Sequence, residues 1–323
     1  MAQQSEAPTT ANTALAVLYS GRGGPDVMRA GERHVRAARP GEVRIRVRAA
    51  TVNPTDILLR DPGFDGVPAP MTPGMDAAGV IESVGLGVTR VAPGDEVMAA
   101  VPPMRAEGGA QASLIVVPAD NVVAKPRNAS FAEAATVPMN GLTALYAMDK
   151  ADLSPGQTLA ITGGSGWLAY LTTVFAKKRG LRVVTQGRPS EIATLRARGA
   201  DIVIDRAANF AEAVRASIPH GVDALLDTAL LGEAAFGAIA DSGIYIPVRG
   251  RAELPEQDRV MVRPVLVNEV LHRTDWLEAV RRAVEDESIA PRVAALFAPQ
   301  EVRKAQEMLQ SGGVRGRIVI AFP

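Results

Sequence analysis

Residues Gly164-Ser165-Gly166-Trp167-Leu168-Ala169 read G-x-G-x-x-A. An apolar run at 158–162 precedes them, and a helical pattern at 167–179 follows. In that strand-to-helix setting the spacing has a physical meaning. The first glycine permits a tight turn. The second lets the backbone approach a pyrophosphate, and a small third residue lets helix and strand pack closely. The first turn of the helix then offers unpaired N–H groups and a partial positive charge to phosphate oxygens. Gly164, Ser165, Gly166, Trp167 and Leu168 are therefore candidate dinucleotide-binding residues. A plain glycine-rich turn is the competing reading.

The end of the next strand selects the dinucleotide. An NAD site places an Asp or Glu there, on the ribose 2′-hydroxyl. This chain has Thr185-Gln186-Gly187-Arg188-Pro189-Ser190, with no carboxylate before Glu191. An acid at that point would repel a 2′-phosphate, whereas Arg188 would bind one through two hydrogen bonds. The pattern favours NADP(H), against the alternative of a solvated loop arginine. Elsewhere, Asn53 and Asp56 are three apart and share one face of a short helix. Either Asn53 stabilises charge developing on a substrate carbonyl, or the two cap the helix. Arg60, four residues after Asp56, reads as its partner in a surface ion pair.

Two kinds of element must hold these residues. From Ala14 to about Pro126 the signals are β: Val43-Arg44-Ile45-Arg46-Val47-Arg48 alternates apolar and basic, and Gly and Pro punctuate every few residues. That predicts a small barrel-like β domain. Beyond Pro126 short apolar runs (158–162, 182–185, 202–204, 224–226, 244–246) alternate with helical stretches (167–179, 190–198). That rhythm predicts an α/β fold with a doubly wound parallel sheet. Helices are expected at 276–285 and 299–310, with a closing strand at 317–321. The polar stretch 1–13 reads as a tail without the basic and apolar regions of a secretory signal.

Composition narrows the chemistry. The chain has 323 residues, enough for two domains. Lys+Arg and Asp+Glu are 35 each and aromatics are 4%, which disfavours nucleic-acid binding. Cysteine is absent, so disulfides, thiolate nucleophiles and Cys-based metal sites are excluded. The three histidines, His34, His220 and His272, are far apart. No apolar run approaches the roughly 20 residues of a membrane helix. A cytoplasmic location is the expectation.

Several segments together resemble the medium-chain dehydrogenase/reductase superfamily, in its zinc-free quinone oxidoreductase branch. They are Thr51-Val52-Asn53-Pro54-Thr55-Asp56, Pro73-Gly74-Met75-Asp76-Ala77-Ala78-Gly79, Pro93-Gly94-Asp95-Glu96-Val97, Gly141-Leu142-Thr143-Ala144, the glycine loop, and Gly312-Gly313-Val314-Arg315-Gly316-Arg317. The resemblance implies a GroES-like β-barrel domain at 1–125 and 266–323. It also implies a Rossmann domain at 126–265, a cofactor cleft between the two, and a homodimer. It places Asn53 and Asp56 near the nicotinamide, adds Asn140, Thr143 and Leu168 as contacts at that end, and adds Arg206 as a second cation for the 2′-phosphate. Glu191 sits where some relatives use Lys, and Leu58 where many use Tyr; the latter leaves water as the proton source. Trp167 stands where relatives have a small residue. Zinc-dependent members carry Gly-His-Glu where this chain has Gly74-Met75-Asp76, and a Met thioether is a poor zinc ligand. Without a Lewis acid, alcohol oxidation is disfavoured.

The reading that follows is an NADPH-dependent reductase of a quinone or an α,β-unsaturated carbonyl, with a small-molecule partner and neither nucleic acid nor membrane. Two alternatives stand beside it. One is a biosynthetic enoyl reductase on a tailored intermediate, motivated by Leu58, Trp167 and Arg249. The other is a non-catalytic binding protein, motivated by Trp167.

Overall fold

The computed structural model describes residues 12–63, 69–248 and 258–323. The expected tail therefore falls almost wholly outside the described residues, as does Arg249. The chain divides into two units. One comprises Met1–Ala124, Ala295–Gly312 and Ile318–Pro323; the other comprises Lys125–Ala294 and Gly313–Arg317.

The first unit is built from β1 (Thr13–Tyr19), β2 (Met28–His34), β3 (Glu42–Val52), α1 (Pro54–Leu58), β4 (Asp76–Val84), β5 (Glu96–Ala100), β6 (Leu114–Pro118) and β7 (Val122–Ala124). Strands β1 and β2 pair antiparallel. Strand β3 is the hub, antiparallel to both β4 and β6. Its alternation works as expected at Val43, Ile45 and Val47, all fully buried. Arg44 breaks the pattern, because it is buried as well and forms an ion pair with Glu82 at 2.8 Å. The turn before β5 needs Gly94, whose φ is 97°.

The second unit contains α2 (Phe131–Ala134), α3 (Pro138–Ala151), β8 (Thr158–Ile161), α4 (Trp167–Lys178), β9 (Arg182–Gly187) and α5 (Ile192–Ala197). It continues with β10 (Ile202–Asp205), α6 (Phe210–Ser217), β11 (Val222–Asp227), β12 (Ile239–Pro247), β13 (Val260–Val262) and α7 (Thr274–Glu285). Its six strands run in the order β10-β9-β8-β11-β12-β13, and every pair is parallel. The strand order reverses between β8 and β11. Ligands of doubly wound sheets bind at that point, beyond the carboxyl ends of the strands. The chain closes with β14 (Val293–Phe297), α8 (Val302–Ser311) and β15 (Arg317–Ala321), which is antiparallel to β3. No helix among the described residues is long and apolar enough to cross a membrane.

Residues 266–294, expected with the β domain, group instead with the parallel sheet. The cause is packing. Leu277, Val280, Ala283 and Val284 form the buried face of α7. A Cβ on Gly141 of α3 would lie 2.4 Å from Cγ2 of Val280, so the two helices meet where no side chain fits. Gly141→Ala should therefore cost about 1–3 kcal/mol, the usual penalty of overpacking. In urea denaturation, Val280→Ala should recover part of that loss in a double-mutant cycle. Additive losses would contradict the contact.

Candidate functional site

At the carboxyl end of β8 the chain turns through Gly163, whose φ is 64°. The N–H of Gly164 donates to the Gln186 carbonyl at 3.1 Å. A Cβ on Gly164 would lie 2.2 Å from Thr185 Oγ1 and 2.7 Å from that carbonyl oxygen. Only glycine permits this approach of loop to strand. Helix α4 then starts after Gly166, which has no side chain to cap it, and no acidic residue stands in its first turn. A twelve-residue helix with a bare amino end offers unpaired amides of the kind that suit an anion.

The loop is braced from behind. Asp227, fully buried at the end of β11, accepts from Thr162 Oγ1 at 2.6 Å, Tyr245 Oη at 2.6 Å and Gly232 N at 2.9 Å. Thr162 Oγ1 in turn accepts from Ala229 N at 2.9 Å. Burial, then Asp227 beside it, drives the Tyr245 phenol well above its ordinary range. The phenol therefore stays protonated and remains a donor.

A cleft of about 740 Å³ opens in front of the loop, within the usual size of a cofactor site. Its wall includes Ser165 and Gly166, then Gln186, Gly187 and Glu191 beyond β9, and Arg206 beyond β10. Asn209 at the start of α6 and Arg315 from near the chain end complete that side. Glu191 Oε2 accepts from Arg188 N at 3.0 Å, and Oε1 accepts from Arg315 Nη2. Those contacts, led by the Arg188 amide and joined by the Ser165 hydroxyl, hold the Glu191 carboxyl down at about 2.

Of the residues expected at the cofactor, the cleft thus gathers Ser165, Gly166 and Arg206, with Gly164 behind them. Trp167 is not in its wall: the indole Nε1 donates to the Thr136 carbonyl at 2.8 Å, and the ring lies 5.4 Å from that of Tyr170. Leu168 is half-buried beside it. Arg188 is exposed and contributes its backbone to Glu191. On α3, Thr143 donates to the Met139 carbonyl at 2.7 Å. Asn140 is buried, and its Nδ2 has no partner, an orphan donor. Sequence reasoning missed Arg315 and Asn209 as wall residues; Arg315 pairs with Glu191 across 124 positions of sequence.

Asn53 and Asp56 lie in the first unit and are fully buried. Asp56 accepts from Asn53 N at 2.8 Å, Gly74 N at 2.9 Å and Gln111 Nε2 at 2.9 Å. Asn53 Nδ2 donates to Thr51 Oγ1 at 3.1 Å. The Asp56 carboxylate is a strut between three segments. Arg60 is no surface residue: it is fully buried, and its Nη1 donates to the Gly23 carbonyl at 2.5 Å.

A pH dependence follows from Glu191. Its folded pKa, about 2, lies below its ordinary 4.5, so its stabilising contribution is complete above about 4.5 and is lost as pH falls towards about 2. Thermal unfolding of Glu191→Gln should lose less stability across that window than the parent chain. Identical losses would contradict the assignment.

The comparisons with known proteins agree with this geometry. The family "Alcohol dehydrogenase GroES-like domain" matches residues 39–127, and "Zinc-binding dehydrogenase" matches 198–320. The chain is 32% identical over 228 residues to the pikromycin polyketide synthase component PikAII of Streptomyces venezuelae. That match covers 68% of this chain but only 6% of the synthase. It is 28% identical over 314 residues to an NADPH-dependent alkenal/one oxidoreductase of Arabidopsis thaliana, covering 94% of this chain and 78% of the relative. The structure of a quinone oxidoreductase from Coxiella burnetii superposes with a TM-score of 0.84 at 24% identity, over 96% of this chain and 100% of that one, a likeness of fold. The zinc of the second family's description does not fit here. The chain has no cysteine, and among the described residues no group of three or more His, Cys, Asp and Glu is placed to hold a metal. Met75 is buried, and Asp76 accepts the Thr51 hydroxyl at 2.6 Å. The chain belongs to the medium-chain dehydrogenase/reductase superfamily of oxidoreductases, with a GroES-like domain and a Rossmann-like parallel sheet.

Proposed function

We propose that this chain is a zinc-independent, NADPH-dependent reductase of quinones or α,β-unsaturated carbonyls. One observation carries the reading: the uncapped amino end of α4 opens, through Gly166, onto a cleft of about 740 Å³. When bound, the cofactor supplies the hydride, and the chain supplies the positioning that makes its delivery fast. Ser165, Gly166 and the first-turn amides of α4 hold the pyrophosphate. Arg206 of the cleft wall faces the 2′-phosphate, and exposed Arg188, next in sequence to the wall residue Gly187, adds a second cation. The orphan amide of Asn140 reads the nicotinamide carboxamide or the acceptor carbonyl, while Thr143 and Leu168 shape that end. Asn53 and Asp56 keep the acceptor-side backbone of the first unit in place. With Leu58 at the position many relatives give to Tyr, water donates the proton. The name of the Arabidopsis relative supports both NADPH and the enone class.

The similarity to PikAII favours a second reading, an enoyl reductase acting on a tailored intermediate. Fast turnover of one thioester enone beside slow turnover of simple quinones would separate it from the first. Trp167 motivates a binding protein without chemistry; its indole donates to the Thr136 carbonyl and stands outside the cleft wall, which supports the catalytic reading instead. The reading includes a cytoplasmic setting, suggested by the cysteine-free composition.

NADPH titration and NADPH oxidation with a panel of quinones and enones test the function. Absence of both binding and turnover would sink it. Gly166 has an ordinary φ of −71°, but a Cβ there would lie 3.0 Å from the Gly163 carbonyl oxygen, so Gly166→Val is measured with thermal unfolding as its folding control. Its branched side chain would stand over the amino end of α4 and weaken NADPH binding by at least about tenfold, one charge-assisted contact or more. Unchanged affinity would place the cofactor elsewhere. We propose a homodimer through the sheet edge at β13, where Met261 is 44%, Val262 38% and Leu266 46% exposed. Sedimentation should show a dimer that Met261→Lys dissociates; a monomeric parent chain would contradict this.

A further inference from the structure

We infer that Glu191 is an internal competitor of the cofactor's 2′-phosphate: it holds Arg315 in the cleft wall as a resident counter-anion and yields that guanidinium to the phosphate when NADPH binds. The inference rests on the dinucleotide reading above and adds what sets the choice of dinucleotide.

Three observations carry it. First, Glu191, Arg206 and Arg315 belong to the same wall, beyond the ends of β9 and β10. Ribose 2′-substituents are read in that region of a doubly wound fold. Second, Glu191 is fixed independently of Arg315. Its Oε2 accepts from Arg188 N at 3.0 Å, and its own N–H donates to the Arg188 carbonyl at 2.8 Å. Gly187 lies against it, with a Cβ there falling 3.6 Å from Glu191 Cβ. Third, the pair is only partly screened from water. The exposures are 33% for Arg315 and 18% for Glu191, so the guanidinium stays reachable from the cleft.

The charges decide the consequence. A carboxylate with a carboxyl held at about 2 is anionic at any neutral pH. A phosphate dianion arriving at Arg315 meets that carboxylate as a like charge, and like charges at close range oppose binding. A 2′-hydroxyl carries no such penalty and finds in Glu191 an acceptor. The wall thus carries an attractive element for each dinucleotide, Arg206 and Arg315 for one and Glu191 for the other. Discrimination between them is correspondingly shallow.

Adenosine 2′,5′-bisphosphate and 5′-AMP isolate this end of the site and need no turnover. Their dissociation constants should be measured calorimetrically on the parent chain, Glu191→Gln and Arg315→Ala, with thermal unfolding as the folding control. Glu191→Gln should bind the 2′,5′-bisphosphate about tenfold more tightly, the scale of one removed charge contact, and 5′-AMP more weakly, because its 2′-hydroxyl loses a carboxylate acceptor. Arg315→Ala should weaken the bisphosphate by a similar factor and leave 5′-AMP alone. An unchanged or weaker bisphosphate affinity in folded Glu191→Gln overturns the competitor role while leaving the dinucleotide site standing. Failure of every protein to bind either nucleotide, or NADPH, overturns both.

Discussion

The absence of a side chain at position 164 governs this molecule. The loop after β8 passes so close to β9 that a methyl group would sit 2.2 Å from Thr185 Oγ1. That hydroxyl is itself committed to the Ile161 carbonyl at 2.7 Å, so it has no room to retreat. The contact ties β8, the loop and β9 into one piece. It sets where α4 begins, and therefore where the helix presents its first amides. A different entry angle would bury those amides or turn them away from the cleft, and the wall residues beyond β9 and β10 would face nothing.

Polar groups, more than apolar ones, hold the loop in that place. Burying Asp227 carries a desolvation cost that three well-placed donors offset. Hydrogen bonds impose direction, which a patch of valines would not, and here they link the ends of β8, β11 and β12. The first unit uses the same device at Asp56, whose carboxylate joins α1 to the segments at Gly74 and Gln111. Each unit thus has a buried carboxylate that joins backbone segments where regular strand pairing has ended.

Much of this was legible in the sequence, for local reasons. The glycine loop announces itself because its spacing and its flanking strand and helix are all within one stretch of chain. The strands β8, β9 and β10 show as short apolar runs, and α4 ends at Gly180 with φ 74°. Helix α3 was not legible, since it is buried along nearly its whole length and shows no polar stripe. The grouping of 266–294 with the parallel sheet was equally hidden, because it depends on Val280 meeting Gly141. The sequence shows a large residue at Trp167 where relatives have a small one, but not where its indole goes; the Thr136 carbonyl that receives it lies 31 positions away. Arg315 was invisible as a wall residue for the same reason. Local spacing encodes the loop, while tertiary contact completes the pocket.

The proposed function puts a diphosphate on the bare amino end of α4. Amide hydrogen exchange with and without NADPH tests this most directly, because it reads those N–H groups themselves. Saturating NADPH should slow exchange at Trp167, Leu168 and Ala169 and across the Gly163–Gly166 turn, while α7 and the first unit's β4–β5 pair stay unchanged. Slowed exchange confined to other segments, with 163–169 unaffected by a cofactor that demonstrably binds, would contradict it.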